Sequence, residues 1–87
     1  MKVHWREISS ASNSFAALSA ACELHGYHLE ATKEPRPDVT CYSLNSISER
    51  IYRGEIAGTD CITVVGGPHA SACYREVAEY ADYVVVG

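Results

Sequence analysis

Hydrophobic and polar positions along this chain change period several times, and each change marks an element. Val3 to Ile8 alternates, with Val3, Trp5 and Glu7 on one side and His4, Arg6 and Ile8 on the other, which predicts a short first strand. A polar stretch, Ser9 to Ser14, follows. Ser12 or Asn13 is placed to cap a helix over about Ser14 to His25, with bulk from Phe15, Leu18, Cys22 and Leu24. Gly26 stands where a helix C-cap glycine belongs. Tyr27 to Ala31 reads as a weak second strand, and Thr32 to Asp38, carrying Pro35 and Pro37, as a stiff extended connector.

Val39 to Ser43 is a third strand, closed by the polar turn Asn45-Ser46. A helix ending at Gly58 follows, with Ile47, Ile51 and Ile56 expected along its buried side. Cys61 to Val65 is a fourth strand, Ser71 to Tyr80 a third helix with Cys73, Val77, Tyr80 and Ala81 on one face, and Tyr83 to Val86 a fifth strand. The predicted order is β-α-β-β-α-β-α-β. Strands alternating with helices specify parallel pairing through right-handed crossovers. The apolar runs of the last two strands suit strands covered on both faces. The expected fold class is α/β, with a mainly parallel five-stranded sheet in the order 2-1-3-4-5 and three helices. The helix between strands two and three is missing. The roughly seven-residue connector there must step back along the sheet and cross strand one. Its reach of about 23 Å at 3.3 Å per residue allows this. The second strand is expected as a frayed edge; antiparallel pairing is the alternative.

The most informative segment is Ile62-Thr63-Val64-Val65-Gly66-Gly67-Pro68-His69-Ala70-Ser71. A β-branched run stops at two glycines, a proline and a histidine, and a helix pattern begins at Ser71. In open α/β sheets ligands sit at such a handover, where glycine backbone and helix N–H groups converge. Gly66 and Gly67 permit close approach, Pro68 sets the turn, and Ser71 is a candidate cap. A tight turn that binds nothing accounts for the same residues equally well. The ends of strands one and three deliver Ser9 to Ser14 and then Ser43, Asn45 and Ser46 to the same sheet edge. Small neutral donors and acceptors suit a ligand rich in amides and hydroxyls, although Ser and Asn are also ordinary helix caps.

Composition narrows the choice. The chain has 87 residues, 47% hydrophobic and 21% charged, with a net charge of -4. That is one small domain with no basic stripe for nucleic acid. Cys22, Cys41, Cys61 and Cys73 form no C-x-x-C pair, and each lies in an apolar segment, which favours reduced buried thiols over zinc or disulfides. The first residues lack a signal-peptide core, and no apolar run approaches the roughly 20 residues of a membrane helix, so a cytoplasmic location with no membrane partner is expected. Walker A, G-x-G-x-x-G and G-x-S-x-G motifs are absent. Asp38, Asp60 and Asp82 precede strands, at the edge opposite a phospho-acceptor site. No catalytic triad, acid–base pair or metal-ligand spacing is visible. Val84 to Gly87 has no covering helix after it, and the expectation is an N-terminal part of a longer protein that begins at Met1.

Three segments carry a family resemblance: Val39-Thr40-Cys41-Tyr42-Ser43-Leu44-Asn45-Ser46, Val64 to Ser71 with its Gly-Gly-Pro-His turn, and Asp82-Tyr83-Val84-Val85-Val86-Gly87. Together they resemble the N-terminal cobalamin-binding domain of radical S-adenosylmethionine proteins. The resemblance implies a flavodoxin-like (Rossmann-like) three-layer sandwich that holds cobalamin over its strand ends. The nucleotide tail would lie near Ser43, Asn45, Gly66 and Gly67, with His69 flanking. It implies no catalytic residue in this region. S-adenosylmethionine and a [4Fe-4S] cluster would belong to a following C-terminal domain, the expected partner. The D-x-H-x-x-G motif of mutase-type cobalamin proteins is absent, so no axial histidine is assigned. A cofactor-free scaffold or docking domain of this kind, and a small Rossmann-like nucleotide-binding domain, are the alternatives.

Overall fold

The computed structural model describes residues 2–8 and 12–86, leaving the side chains of residues 12–17 and of Pro68 outside the description. Five strands and four helices follow one another: β1 (Val3–Arg6), α1 (Ser12–Leu24), β2 (Leu29–Thr32), β3 (Val39–Ser43), α2 (Ser46–Gly58), β4 (Ile62–Gly66), α3 (Pro68–Ala72), α4 (Tyr74–Val77) and β5 (Tyr83–Val84). The sheet is wholly parallel, in the order β2-β1-β3-β4-β5. This is the expected flavodoxin-like α/β arrangement. β2 pairs with β1 over four residues, from Val3↔Leu29 to Arg6↔Thr32, so the weak second strand is a parallel edge strand.

The register explains how β2 reaches β3 without a helix. Thr32 lies level with Arg6, and Val39 level with Val3. The connector therefore steps back three residues and crosses two strand spacings, about 14 Å in all, well inside its reach. It is stitched to the sheet by polar groups. Thr40 Oγ1 donates to the Arg36 carbonyl at 2.9 Å and accepts from the Arg36 N–H at 3.0 Å. Asp38, with a φ of 73°, accepts the Lys2 N–H through its carboxylate at 2.9 Å.

Two apolar clusters lie on opposite faces of the sheet. One holds Tyr42, Leu44, Ile56, Val65, Ala70, Val77 and Ala81, beneath α2, α3 and α4. The other holds Trp5, Leu29 and Cys41, with Leu18 and Cys22 of α1 packed against them. Successive strand residues alternate between the two, as pleating requires. α1 ends as the sequence suggests. Gly26, at a φ of 82°, donates to the Glu23 carbonyl, and Tyr27 to that of Cys22, which together form a Schellman motif.

Three expectations need correction. Ile47 and Ile51 do not share a buried face with Ile56: they are 75% and 67% exposed, against 2% for Ile56. Ile56 lies five residues past Ile51, about 140° around the helix. The buried side of α2 instead carries Ser48, Glu49 and Ile56. Glu49 is held there by Arg53 and by the Tyr80 hydroxyl. The single helix over Ser71 to Tyr80 is two short helices, broken at Cys73 (φ -125°, ψ 40°), and the first begins at Pro68. Proline suits a first turn because its φ is preset and its missing N–H would be unpaired there. Finally, only Cys41 is buried among the four free cysteines; Cys22, Cys61 and Cys73 are half-buried.

Arg6 fastens α2 across β1. Its guanidinium donates to both Glu55 oxygens, at 3.0 and 3.1 Å, and lies over the Tyr52 ring. Tyr42 donates to the same carboxylate at 2.7 Å. Burial, and then that bond, push the Tyr42 hydroxyl well above its ordinary range. Burial and the Glu49 charge raise Tyr80 to about 12, and burial followed by proximity to Cys22 raises Cys41 to about 11.

Two outcomes follow for stability. Ile56→Ala should cost about 2–5 kcal/mol in urea unfolding, whereas Ile51→Ala should stay within about 0.5 kcal/mol. The raised pKa values favour the neutral groups in the folded state. Their contribution is therefore complete below the unfolded values of 9.0 and 10.0 and is lost as pH rises through 11 and 12. Urea midpoints should hold level to about pH 8 and then decline, less steeply above pH 10 in Tyr42→Phe.

Candidate functional site

The turn after β4 is built against the end of β3. Leu44 donates its N–H to the Gly66 carbonyl at 3.0 Å and accepts from the His69 N–H at 3.1 Å. Gly67 therefore runs flat against Leu44. A Cβ there would lie 2.8 Å from both the Leu44 carbonyl oxygen and Ser43 Oγ, and the residue has a φ of 96°. Both facts demand glycine whether or not anything binds. Gly66 is different. A Cβ on it would meet only the Val85 Cβ, at an ordinary 3.6 Å.

The other predicted residues separate by role. Asn45 caps α2: its Oδ1 accepts from the Ile47 and Ser48 N–H groups at 3.0 and 2.8 Å, while Ser48 Oγ accepts the Asn45 N–H at 2.9 Å. This is a capping box with serine in the third helical position, and it engages the Asn45 amide oxygen. Ser46 is exposed in the first turn of α2. Pro68 opens α3, with no side-chain cap on Gly67 before it. His69 and Ser71 are half-buried within α3, where the Ser71 N–H donates to the Gly67 carbonyl. Ser71 is thus inside the helix rather than at its cap. Ser9, Ser10 and Ala11 of the first loop lie outside the described residues, as do the side chains of Ser12, Asn13 and Ser14.

Ser43, Gly66 and Gly67 meet at a slot of about 190 Å³ on the α1 face of the sheet. Trp5, Leu18, Cys41, Val64 and Val85 give it apolar walls. Among the described residues no charged side chain lines it, and the raised pKa keeps Cys41 a neutral thiol at neutral pH. Ser43, 8% exposed, brings a hydroxyl to the lining of the slot. Among the described residues the slot is therefore a neutral, mostly apolar recess with the Ser43 hydroxyl in its lining, suited to a flat uncharged group carrying a heteroatom. Sequence reasoning missed its walls. Their signal is the shared parity of Trp5, Cys41 and Val64 along their strands, which Val85 continues just past β5.

Three larger depressions, of about 480, 440 and 400 Å³, lie along the connector after β2. They are open, and several of the groups bounding them are engaged in the bonds described above. We weigh the slot more heavily because it lies at the strand ends where α/β sheets bind ligands. Among the described residues, no group of three or more His, Cys, Asp or Glu could hold a metal ion, and no helix is long and apolar enough to cross a membrane.

Comparison with protein-family models, curated proteins and solved structures finds no significant match to this chain.

The two glycines should behave differently. Gly67→Ala should lose about 1–3 kcal/mol of stability, because it combines a left-handed φ with a backbone clash. Gly66→Ala should remain within about 1 kcal/mol of the parent. Chemical denaturation of the two variants measures both.

Proposed function

We propose that this chain is a cobalamin-binding module of a radical S-adenosylmethionine enzyme, and that the slot receives the base of the cofactor's nucleotide tail. The observation that carries this reading is the mostly apolar recess at the strand ends, where Ser43, Gly66 and Gly67 meet. The Ser43 hydroxyl gives the recess a hydrogen-bonding group that a heteroatom on an aromatic base can engage. Gly66 leaves the space that a side chain would fill. The residues present thus fit the tail: Ser43 orients it, Gly66 and Gly67 admit it, and Trp5, Leu18 and Val64 exclude water around it. His69 and Pro68 stand beside the strand ends, where the rest of the cofactor would lie.

Bound cobalamin supplies alkyl-carrier or electron-transfer chemistry at its cobalt. The protein's part in this region is to bind and orient. S-adenosylmethionine and a [4Fe-4S] cluster belong, in this reading, to a partner radical S-adenosylmethionine domain of the same cytoplasmic protein. A cofactor-free scaffold has one observation in its favour: the fold itself requires Gly67 and uses Asn45 as a cap.

Titration with hydroxocobalamin separates the readings. Trp5 is the sole tryptophan and lines the slot, so its fluorescence should be quenched saturably, with equilibrium dialysis as an independent measure. Gly66→Val should fill the slot and abolish binding while cooperative unfolding is retained. Ser43→Ala should weaken binding about two- to tenfold, the worth of one hydrogen bond. No saturable binding at high micromolar cobalamin would overturn the proposal. Normal binding by a folded Gly66→Val variant would place the ligand elsewhere.

A further inference from the structure

We draw no further inference here: the strongest candidate, the apolar patch that Ile62, Tyr83 and Val85 expose on the β4–β5 half of the sheet, is an unpartnered face, and nothing in the structure shows what covers it.

Discussion

The pairing of β3 with β4 organises both the core and the candidate site. It runs over five residue pairs, from Val39↔Ile62 to Ser43↔Gly66. Two further bonds, from Leu44 to Gly66 and from His69 to Leu44, carry the contact past the strand ends into the turn. On one face of this ladder, Tyr42, Leu44 and Val65 enter the core beneath α2, α3 and α4. On the other, Cys41, Ser43, Val64 and Gly66 form part of the slot. A one-residue slip in register would exchange the two sets and destroy both at once.

The face under α2 carries more polar groups than a parallel sheet usually buries. His4, Thr40 and Thr63 are all buried. The missing helix accounts for much of this. Where a helix would offer apolar side chains, the connector offers backbone, and Thr40 bonds to it. At the neighbouring strand, Asp82 accepts from both the N–H and the hydroxyl of Thr63, which in turn accepts the Asp82 N–H. Asp38 and Asp82, which precede strands, thus tie the N-terminal edge of the sheet together. The Arg6–Glu55 pair works at the other end of β1. Its two parallel bonds fix the orientation of α2 more tightly than apolar packing would, although such a pair adds little net stability once desolvation is counted.

Much of the architecture can be read from the chain because its signals are local. The apolar runs of β3 and β4, the glycine after α1 and the length of the 32–38 connector each follow from backbone chemistry at known positions. Crossover handedness and chain reach allow the order 2-1-3-4-5, and the parallel pairing of β2 with β1 is shown by the folded structure. The glycine turn is likewise visible as a place where backbone must come close. What the sequence left even was whether that closeness serves a ligand or the fold. The structure divides the two residues: Gly67 is demanded by Leu44, and Gly66 opens onto the slot.

The rest was decided by tertiary packing. Ile47 and Ile51 look like core residues by hydropathy, yet Glu49 is buried in their stead, because Arg53 and Tyr80 neutralise and bond it. The start of α3 at Pro68 depends on the His69 N–H meeting Leu44, a partner 25 positions away in sequence. The slot is assembled from β1, α1, β3, β4 and the residue after β5. The sequence by itself determined the strands, their order along the chain and the glycine turn, because these rest on local dihedral and periodic constraints. Which faces are buried, and which side chains meet in the recess, came only with the folded structure, because burial depends on neighbours distant along the chain.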